Sequence, residues 1–247
     1  THFLVAQEVV KKEARRLGII GDVHAEDVRL ENCLSYLANQ GCKKIVCTGD
    51  IIDGPGCPNR SVELLKAFDV VTVRGNHDRW IIENKARHVK NAHKTHDLSK
   101  STLDYLSILP LQEKFMFGGI RVLLCHGVGK NDLKKVWPGT DRLQPIKSNE
   151  LDQIIGEEKF DYVINGHIHF RTMVHFKKLV LINAGTISGD VSPGCTMIDF
   201  DENMIFGFLF EGSNLQLSKS QNLYGENYTI WENTESFNGK WDPVTLF

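Results

Sequence analysis

The chain has 247 residues, and its 29 Lys and Arg nearly balance its 31 Asp and Glu, which gives a formal net charge of -2. With 41% apolar and 24% charged residues it has the composition of a folded globular protein, which excludes collagen-like, low-complexity and wholly disordered chains. No apolar run approaches the ~18 residues of a transmembrane helix, and the balanced charge argues against broad nucleic-acid binding.

The first half of the chain alternates short apolar runs with helical patterns. Helices are predicted around Leu30, Leu34 and Leu37, ending near Gly41, and over residues 61–68. Residues 79–107 are expected to form a polar helical insert. An apolar hairpin is predicted at 115–124 around two glycines, followed by a helix at 149–158. Buried strands are predicted at 17–20, 45–48, 70–73 and 162–164.

Short strands dominate the second half, with predicted positions at 172–176, 179–182, 196–200 and 204–210. Residues 211–247 are rich in Asn, Ser and Glu, and we expect an extended tail that packs Trp231 and Trp241 on the rest of the protein. The resulting prediction is an α/β layered fold, with one domain over residues 1–210 and a C-terminal tail over 211–247.

The cysteines and the N-terminal residues bear on location. No CxxC pair occurs among the six cysteines, and several lie in apolar runs, as small buried side chains do. Residues 2–10 are too polar for a secretory signal. A cytoplasmic location is therefore expected.

Five apolar strands are each followed directly by acidic, amide or imidazole side chains. In open α/β sheets ligands bind at this edge, where parallel strands end. One such group is usually a surface loop, but five in one chain indicate a single site. The residues concerned are Asp22, His24, Asp50, Asp53, Asn76, His77, Asp78, His126, His167 and His169.

Carboxylate, imidazole and amide ligands without thiolates suit manganese, iron, zinc or magnesium. Seven of these ten side chains are candidate metal ligands, which is too many for one tetrahedral site. They suit two metals about 3.5–4 Å apart that share a carboxylate. Such a pair binds a phosphoryl group and lowers the pKa of a bridging water, so the pattern points to phosphate-ester hydrolysis.

These motifs resemble, in order and spacing, the calcineurin-like metallophosphoesterase family. The resemblance covers about residues 17–200 and implies two mixed β-sheets packed as a sandwich flanked by helices. Gly54 and Asp78 stand where protein Ser/Thr phosphatases carry Arg and Glu, so the small bacterial and archaeal phosphoesterases are the most similar branch. The matching blocks are Asp22-x-His24, Gly49-Asp50-x-x-Asp53, Gly75-Asn76-His77-Asp78, His126-Gly127 and Gly166-His167-x-His169.

The resemblance also implies roles. His77 would be the general acid, oriented by Asp78, and the substrate phosphate would be held by Asn76, His77 and Arg74. Asp53 would support a neighbouring ligand or cap its loop. Two divalent ions are expected, manganese first, with iron, zinc, magnesium, cobalt or nickel also accepted. One ion would be held by Asp22, His24, Asp50 and His169, and the other by Asp50, Asn76, His126 and His167, with Asp50 as the bridge.

The function expected from the resemblance is hydrolysis of a small phosphomonoester or phosphodiester, including nucleotides and dinucleoside polyphosphates, by a metal-activated water. The alternatives are a non-catalytic protein-binding scaffold on the same fold, or a protein phosphatase. The basic and His-rich stretch after Asp78 is interpreted either as a solvated face or as a lid over far phosphates. Trp80 and Trp137 are interpreted either as residues that pack in the protein or as residues that stack on a base of the substrate. No membrane or broad nucleic-acid partner is expected, and no oligomeric state is predicted.

Overall fold

The computed structural model describes residues 14–246, so the expectation that residues 2–10 form no secretory signal lies outside the described residues. The strands are β1 (Arg16–Ile20), β2 (Lys44–Cys47), β3 (Val71–Thr72), β4 (Gln112–Phe117), β5 (Ile120–Cys125), β6 (Tyr162–Asn165), β7 (Arg171–Phe176), β8 (Leu179–Ala184), β9 (Gly194–Asp199), β10 (Met204–Glu211), β11 (Asn214–Asn222), β12 (Ile230–Trp231) and β13 (Val244–Thr245). The helices are α1 (Asp27–Asn39), α2 (Pro58–Ala67), α3 (Asn76–Ile82), α4 (Lys100–Ile108) and α5 (Asn149–Glu157).

Two mixed β-sheets form the centre of the fold. The first has the order β11-β10-β9-β1-β2-β3, in which β1, β2 and β3 are parallel and the β9–β11 side is antiparallel. The second has the order β12-β7-β8-β6-β5-β4, with β5, β6 and β8 parallel and β13 added to β7. The predicted fold class, two mixed sheets flanked by helices, is confirmed.

Successive side chains of a strand point to opposite faces of its sheet, and this alternation explains how the hydrophobic layers are arranged. Ile19 packs with Val46 and Ile164 in a core shared by the two sheets, whereas the next residue, Ile20, packs with helix residues such as Leu34 on the outer face of the first sheet. The second sheet has its own outer cluster, which includes side chains of α5. Strands buried on both faces read as continuous apolar runs, as β1, β2 and β6 do.

The predicted helical insert at 79–107 is wrong for its central part. Helix α3 ends at Ile82, and the chain then forms turns up to a short 3₁₀ turn at Thr95–Asp97. Asn84, Ala86 and Asn91 have positive φ angles, which an α-helix does not accommodate. The stretch has no apolar periodicity to hold a helix against the domain. Residues 83–99 are therefore a loop between α3 and α4, called here the 83–99 loop.

The C-terminal segment is more ordered than an extended tail. It supplies β11 to the first sheet and β12 and β13 to the second. Trp231 and Trp241 are buried in the outer cluster of the second sheet. Thr234 ties the segment to α5, since its backbone N–H donates to Asp152 Oδ1 at 2.7 Å and its hydroxyl accepts from the N–H of Ser148 at 2.9 Å. No helix within residues 14–246 is long and apolar enough to cross a membrane.

Candidate metal centre

Parallel strands in both sheets end at one edge of the sandwich, which brings the predicted site residues together. The two sheets are joined there by direct contacts. His126, after β5, donates from Nδ1 to the carbonyl of Thr48, after β2, at 2.8 Å. The backbone N–H of His167, after β6, contacts the carboxylate of Asp22, after β1, at 3.1–3.2 Å.

The first group of converging side chains consists of Asp22, His24 and His169, whose potential ligand atoms lie within 4.8 Å of one another. Nε2 of His169 is 3.0 Å from Asp22 Oδ2 and 3.2 Å from Nε2 of His24. His24 donates from Nδ1 to the carbonyl of Asp53 at 3.1 Å, so its Nε2 carries a lone pair directed away from that bond.

The second group consists of Asp50, His126 and His167. Nε2 of His126 is 3.3 Å from Asp50 Oδ2 and 3.0 Å from Asn76 Oδ1. Asp50 also lies in a set with His24 and His77, so its carboxylate is within reach of both groups. This is the position required of a bridging ligand.

The donor set fits divalent cations. His126 donates its Nδ1 proton to Thr48, and its Nε2 faces two acceptor oxygens, Asp50 Oδ2 and Asn76 Oδ1. Ligand atoms about 2.0–2.2 Å from one cation are separated from one another by roughly 3.0–3.4 Å, close to the separations found here. Asp22, Asp50 and His126 are buried, so the two carboxylate charges require a compensating charge.

The pKa shifts of His126 and Asp50 also indicate that the site favours an added positive charge. Burial would lower the pKa of His126, but the carboxylates of Asp50 and Asp22 outweigh it and raise the pKa to about 10. The two carboxylates thus favour an added positive charge at the site. Burial raises the pKa of Asp50, yet the charge and hydrogen bond of His126 hold it well below its ordinary value.

Two glycines allow this close approach. A Cβ on Gly75 would collide with the carboxylate of Asp50, and a Cβ on Gly166 would collide with the carboxylate of Asp22 and the hydroxyl of Thr48. Any other residue would displace a candidate ligand, so glycine is required at both positions.

Five polar residues of the site adopt left-handed backbone conformations. Such φ angles are uncommon outside glycine and cost of order 1 kcal/mol or more each. They direct side chains from sharp turns at the strand ends into the shared space. The residues are His24 (φ 47), Asp50 (φ 48), Asp53 (φ 63), His167 (φ 67) and His169 (φ 59).

His77 is held by Asp53, not by Asp78, so the predicted orienting role of Asp78 is wrong. Nδ1 of His77 donates to Asp53 Oδ2 at 2.8 Å. Burial lowers the pKa of His77, but this bond and the charge of Asp50 outweigh it and raise the pKa above its ordinary value. The ring of His77 also packs at 5.0 Å against His24 and at 4.8 Å against Trp80.

Asp78 has a structural position instead. Its carboxylate accepts from the backbone N–H of Ile51 at 2.8 Å and of Gly75 at 2.9 Å, and so fixes the loops after β2 and β3 to each other. Burial and the charge of Asp50 raise the pKa of Asp78 to about 7. This short side chain points back to the first turn of α3, where an acidic residue commonly accepts from backbone N–H groups.

Arg87 and His93 belong to the stretch that the sequence analysis interpreted as a solvated face or a lid, and their contact with Asp53 was not predicted. The guanidinium of Arg87 binds both oxygens of Asp53. The backbone N–H of His93 donates to Asp53 Oδ1 at 2.9 Å, and Nδ1 of the His93 ring accepts from the backbone N–H of Asp53 at 3.0 Å. Neither side chain is therefore free to act as a lid cation. Their separation of 34 and 40 residues from Asp53 left no local signal in the sequence.

Arg74, predicted to bind substrate, shows no side-chain hydrogen bond or ion pair within residues 14–246, and its Nε is buried without a partner. Its role in substrate binding stays a prediction. The remaining predicted residues, Asp22, His24, Asp50, Asn76, His77, His126, His167 and His169, are brought together by the fold.

Comparison with known proteins shows the family of the chain. Residues 16–203 match the family model described as the calcineurin-like phosphoesterase superfamily domain. An uncharacterized protein of Methanocaldococcus jannaschii is 26% identical over 161 residues, which cover 62% of this chain and 63% of that protein. The chain thus spans less than two thirds of the length of this curated relative.

Solved structures show the same fold. A metallophosphoesterase from Sphaerobacter thermophilus aligns with a TM-score of 0.60 at 20% identity, covering 83% of this chain and 89% of the other. Vacuolar Protein Sorting 29 from Cryptosporidium parvum aligns with a TM-score of 0.53 at 17% identity, covering 85% and 98%.

Proposed function

This chain belongs to the calcineurin-like phosphoesterase superfamily, and we propose that it hydrolyses a small phosphomonoester or phosphodiester with the help of two divalent metal ions. The observation that carries the proposal is the Nε2 atom of His126, which faces Asp50 Oδ2 and Asn76 Oδ1 in a buried, acceptor-rich space. A second such group lies beside it, around His24 and His169.

In this proposal Asp22, His24, Asp50 and His169 hold one ion, and Asp50, Asn76, His126 and His167 hold the other. The bound ions would supply Lewis-acid stabilisation of the phosphoryl oxygens and lower the pKa of the attacking water. The protein fixes the ligands through hydrogen bonds outside the site. His24 and His126 each donate their Nδ1 proton to a backbone carbonyl, which sets their tautomer and orientation.

His77 is proposed as the general acid. Its Nδ1 is engaged by Asp53, so Nε2 is the atom that would carry the transferable proton. Because its pKa is raised, the ring is more fully protonated at neutral pH than a free imidazole. Protonation of the departing alkoxide by such a group lowers the barrier for poor leaving groups most.

Manganese is the first candidate for the native ion, because carboxylate, amide and imidazole ligands without thiolate suit it. Nucleotides and dinucleoside polyphosphates stay candidate substrates, with Asn76, His77 and Arg74 as proposed phosphate contacts. A cytoplasmic location is proposed from the cysteine usage alone.

The alternative is a protein-binding scaffold, which the likeness in fold to Vacuolar Protein Sorting 29 brings into consideration. Scaffold function needs no metal ligands, whereas here seven candidate ligands and His77 converge at one edge. The buried carboxylates would be costly in a protein that never binds a cation there. We therefore favour the enzyme.

The test is hydrolysis of p-nitrophenyl phosphate and bis-p-nitrophenyl phosphate by protein stripped with a chelator and then reloaded with Mn²⁺. We expect turnover of at least one ester, lost on chelation and restored by the metal. Absence of turnover of both esters in protein shown by elemental analysis to carry two ions would overturn the proposal.

A further inference from the structure

A cavity of about 370 Å³ lies between the loop after β5 and the turn after β6, and none of the candidate ligands lines it. Its walls are mainly apolar and include Trp137, Leu143, Ile146, Ile168 and Phe170. Small-molecule sites have volumes of roughly 300–1,000 Å³ and walls of this kind. The cavity is large enough for an organic group the size of an aromatic ring or a short alkyl chain.

The cavity adjoins the metal centre. Ile168 lies in the chain between the candidate ligands His167 and His169, and Phe170 follows directly. One turn therefore carries two candidate ligands and two cavity-lining side chains. Lys135 is another wall residue, so the wall of the cavity includes a cation.

The wall formed by residues 137–146 is built in advance of any ligand. Trp137 and Ile146 pair across this loop through backbone hydrogen bonds of 3.0 and 2.7 Å. The Trp137 ring packs at 5.3 Å against Phe170 and at 5.0 Å against Trp241. Trp137 is only 7% exposed, so its ring is held in the wall by this packing.

The 137–146 loop is supported by residues outside the family domain. Trp241 lies beyond residue 203, where the match to the family model ends. Its backbone N–H donates to the carbonyl of Gly139 at 3.0 Å, and that of Gly239 donates to Pro138 at 3.2 Å. The C-terminal segment therefore supports the 137–146 loop from behind.

We propose that this cavity binds the apolar organic group of the phosphate ester that is hydrolysed at the metal centre, an inference that rests on the proposed function. A second cavity of about 300 Å³ shares Ile168 and Phe170 and is lined by the candidate ligand His169, but its lining also includes Asp190, so charge favours the first cavity. A carboxylate repels a phosphate, whereas Lys135 attracts it. The substrate class is thus a phosphate ester whose organic group carries an aromatic or aliphatic part that fills this cavity.

Non-hydrolysable phosphonates test the cavity directly. Binding of methylphosphonate, benzylphosphonate and n-hexylphosphonate to the Mn²⁺-loaded protein is measured by calorimetry. We expect at least one of the two larger ligands to bind about tenfold or more tightly than methylphosphonate, because its substituent leaves water. A gain limited to the benzyl compound identifies an aromatic substituent, and a gain limited to the hexyl compound identifies an aliphatic one.

A substitution in the wall links that gain to the cavity. Leu143 is 48% exposed, so Leu143→Glu places a charge in the cavity without disturbing the core. We expect the ratio of the larger ligand's affinity to that of methylphosphonate to fall at least about fivefold. Leu217→Glu, at a leucine of β11 that is 55% exposed and outside the cavity, is the matched control and leaves the ratio and turnover unchanged.

Two results overturn the cavity assignment while leaving the enzyme in place. In protein that hydrolyses p-nitrophenyl phosphate, all three phosphonates bind equally, or Leu143→Glu does not alter the ratio. Failure of the proposed function looks different: no turnover occurs and methylphosphonate shows no Mn²⁺-dependent binding. That outcome removes the cavity's role together with the enzyme.

Discussion

The guanidinium of Arg87 binds the carboxylate of Asp53 with two parallel hydrogen bonds of 2.9 Å each. Asp53 is fully buried at its side chain and also accepts from Nδ1 of His77. The 83–99 loop is thereby connected to the proposed general acid through a single carboxylate. Bidentate charged pairs of this kind fix orientation as well as adding energy.

Removing this carboxylate should misplace His77 without removing metal. For Asp53→Asn we expect kcat for phenyl phosphate to fall roughly 10- to 100-fold, the range for loss of a group that orients a functional histidine. The loss should be smaller for p-nitrophenyl phosphate, whose leaving group needs less protonation. Arg87→Gln should show the same pattern more weakly.

Arg121→Gln is the control for this pair of variants, because Arg121 forms a comparable two-point contact with Asp161 on the exposed surface. It should leave kcat unchanged for both esters. Equal losses for phenyl phosphate and p-nitrophenyl phosphate in Asp53→Asn would contradict a role through His77.

Substitutions of Asp50 and His77 should distinguish residues that bind metal from residues that transfer a proton. Asp50→Asn removes the proposed bridge, so we expect it to lose metal and activity together. His77→Ala should retain both ions while kcat falls about 10²–10⁴-fold, as for loss of a general acid. Metal content by mass spectrometry and kcat are measured on the same samples.

His96→Ala provides the matched histidine control, since the His96 side chain is 76% exposed and has no described contact with the ligand groups. It should keep both metal and rate. If His77→Ala instead lost its ions, His77 would be a ligand and the assignment of the general acid would fail.

Gly166 should tolerate no side chain. In Gly166→Ala the new Cβ meets the Asp22 carboxylate and the Thr48 hydroxyl, so we expect weaker Mn²⁺ binding and a lower melting temperature. Gly156→Ala is the opposite case, because nothing lies near its Cβ position in α5. There the substitution should stabilise by about 0.5–1 kcal/mol. Calorimetric melting of both variants tests this contrast.

His175 should make the protein sensitive to acid independently of the metal centre. It is buried in β7, donates from Nε2 to the carbonyl of Leu223 at 2.8 Å, and burial lowers its pKa below 6.5. The unfolded chain therefore binds this proton at a higher pH than the folded one, and stability falls as pH drops below 6.5. His175→Gln keeps a donor but cannot titrate.

We expect the melting temperature of His175→Gln to fall less between pH 7.5 and pH 5.5 than that of the unsubstituted protein. His88→Gln, at an exposed histidine in the 83–99 loop, should not change that difference. An unaltered pH response in His175→Gln would show that other groups cause it.

The strands that carry the site could be predicted because each is a continuous apolar run followed by polar residues. Parallel pairing of β1, β2 and β3 then places Asp22, Asp50 and Asn76 at one edge without knowledge of the tertiary structure. The roles of these residues remain proposals. The side chains come together because the strands that carry them lie side by side, and the motif after each strand marks where that strand ends.

The sequence did not reveal interactions between distant segments. Residues 83–99 lack periodicity, and their contacts with Asp53 depend on tertiary packing. Asp78 lies next to His77 in the chain, yet the first turn of α3 directs its carboxylate to Gly75. Strands β12 and β13 are two residues each and pair with β7, more than 50 residues away, so no local pattern indicates them.

The left-handed backbone at His24, His167 and His169 places a conformational cost on residues that the proposed metal centre needs. Glycine would adopt these φ angles without strain, so replacing any of the three by glycine in metal-free protein removes a cost of order 1 kcal/mol. The imidazoles at these three positions, which the proposed metal centre requires, therefore carry a backbone strain that glycine would avoid.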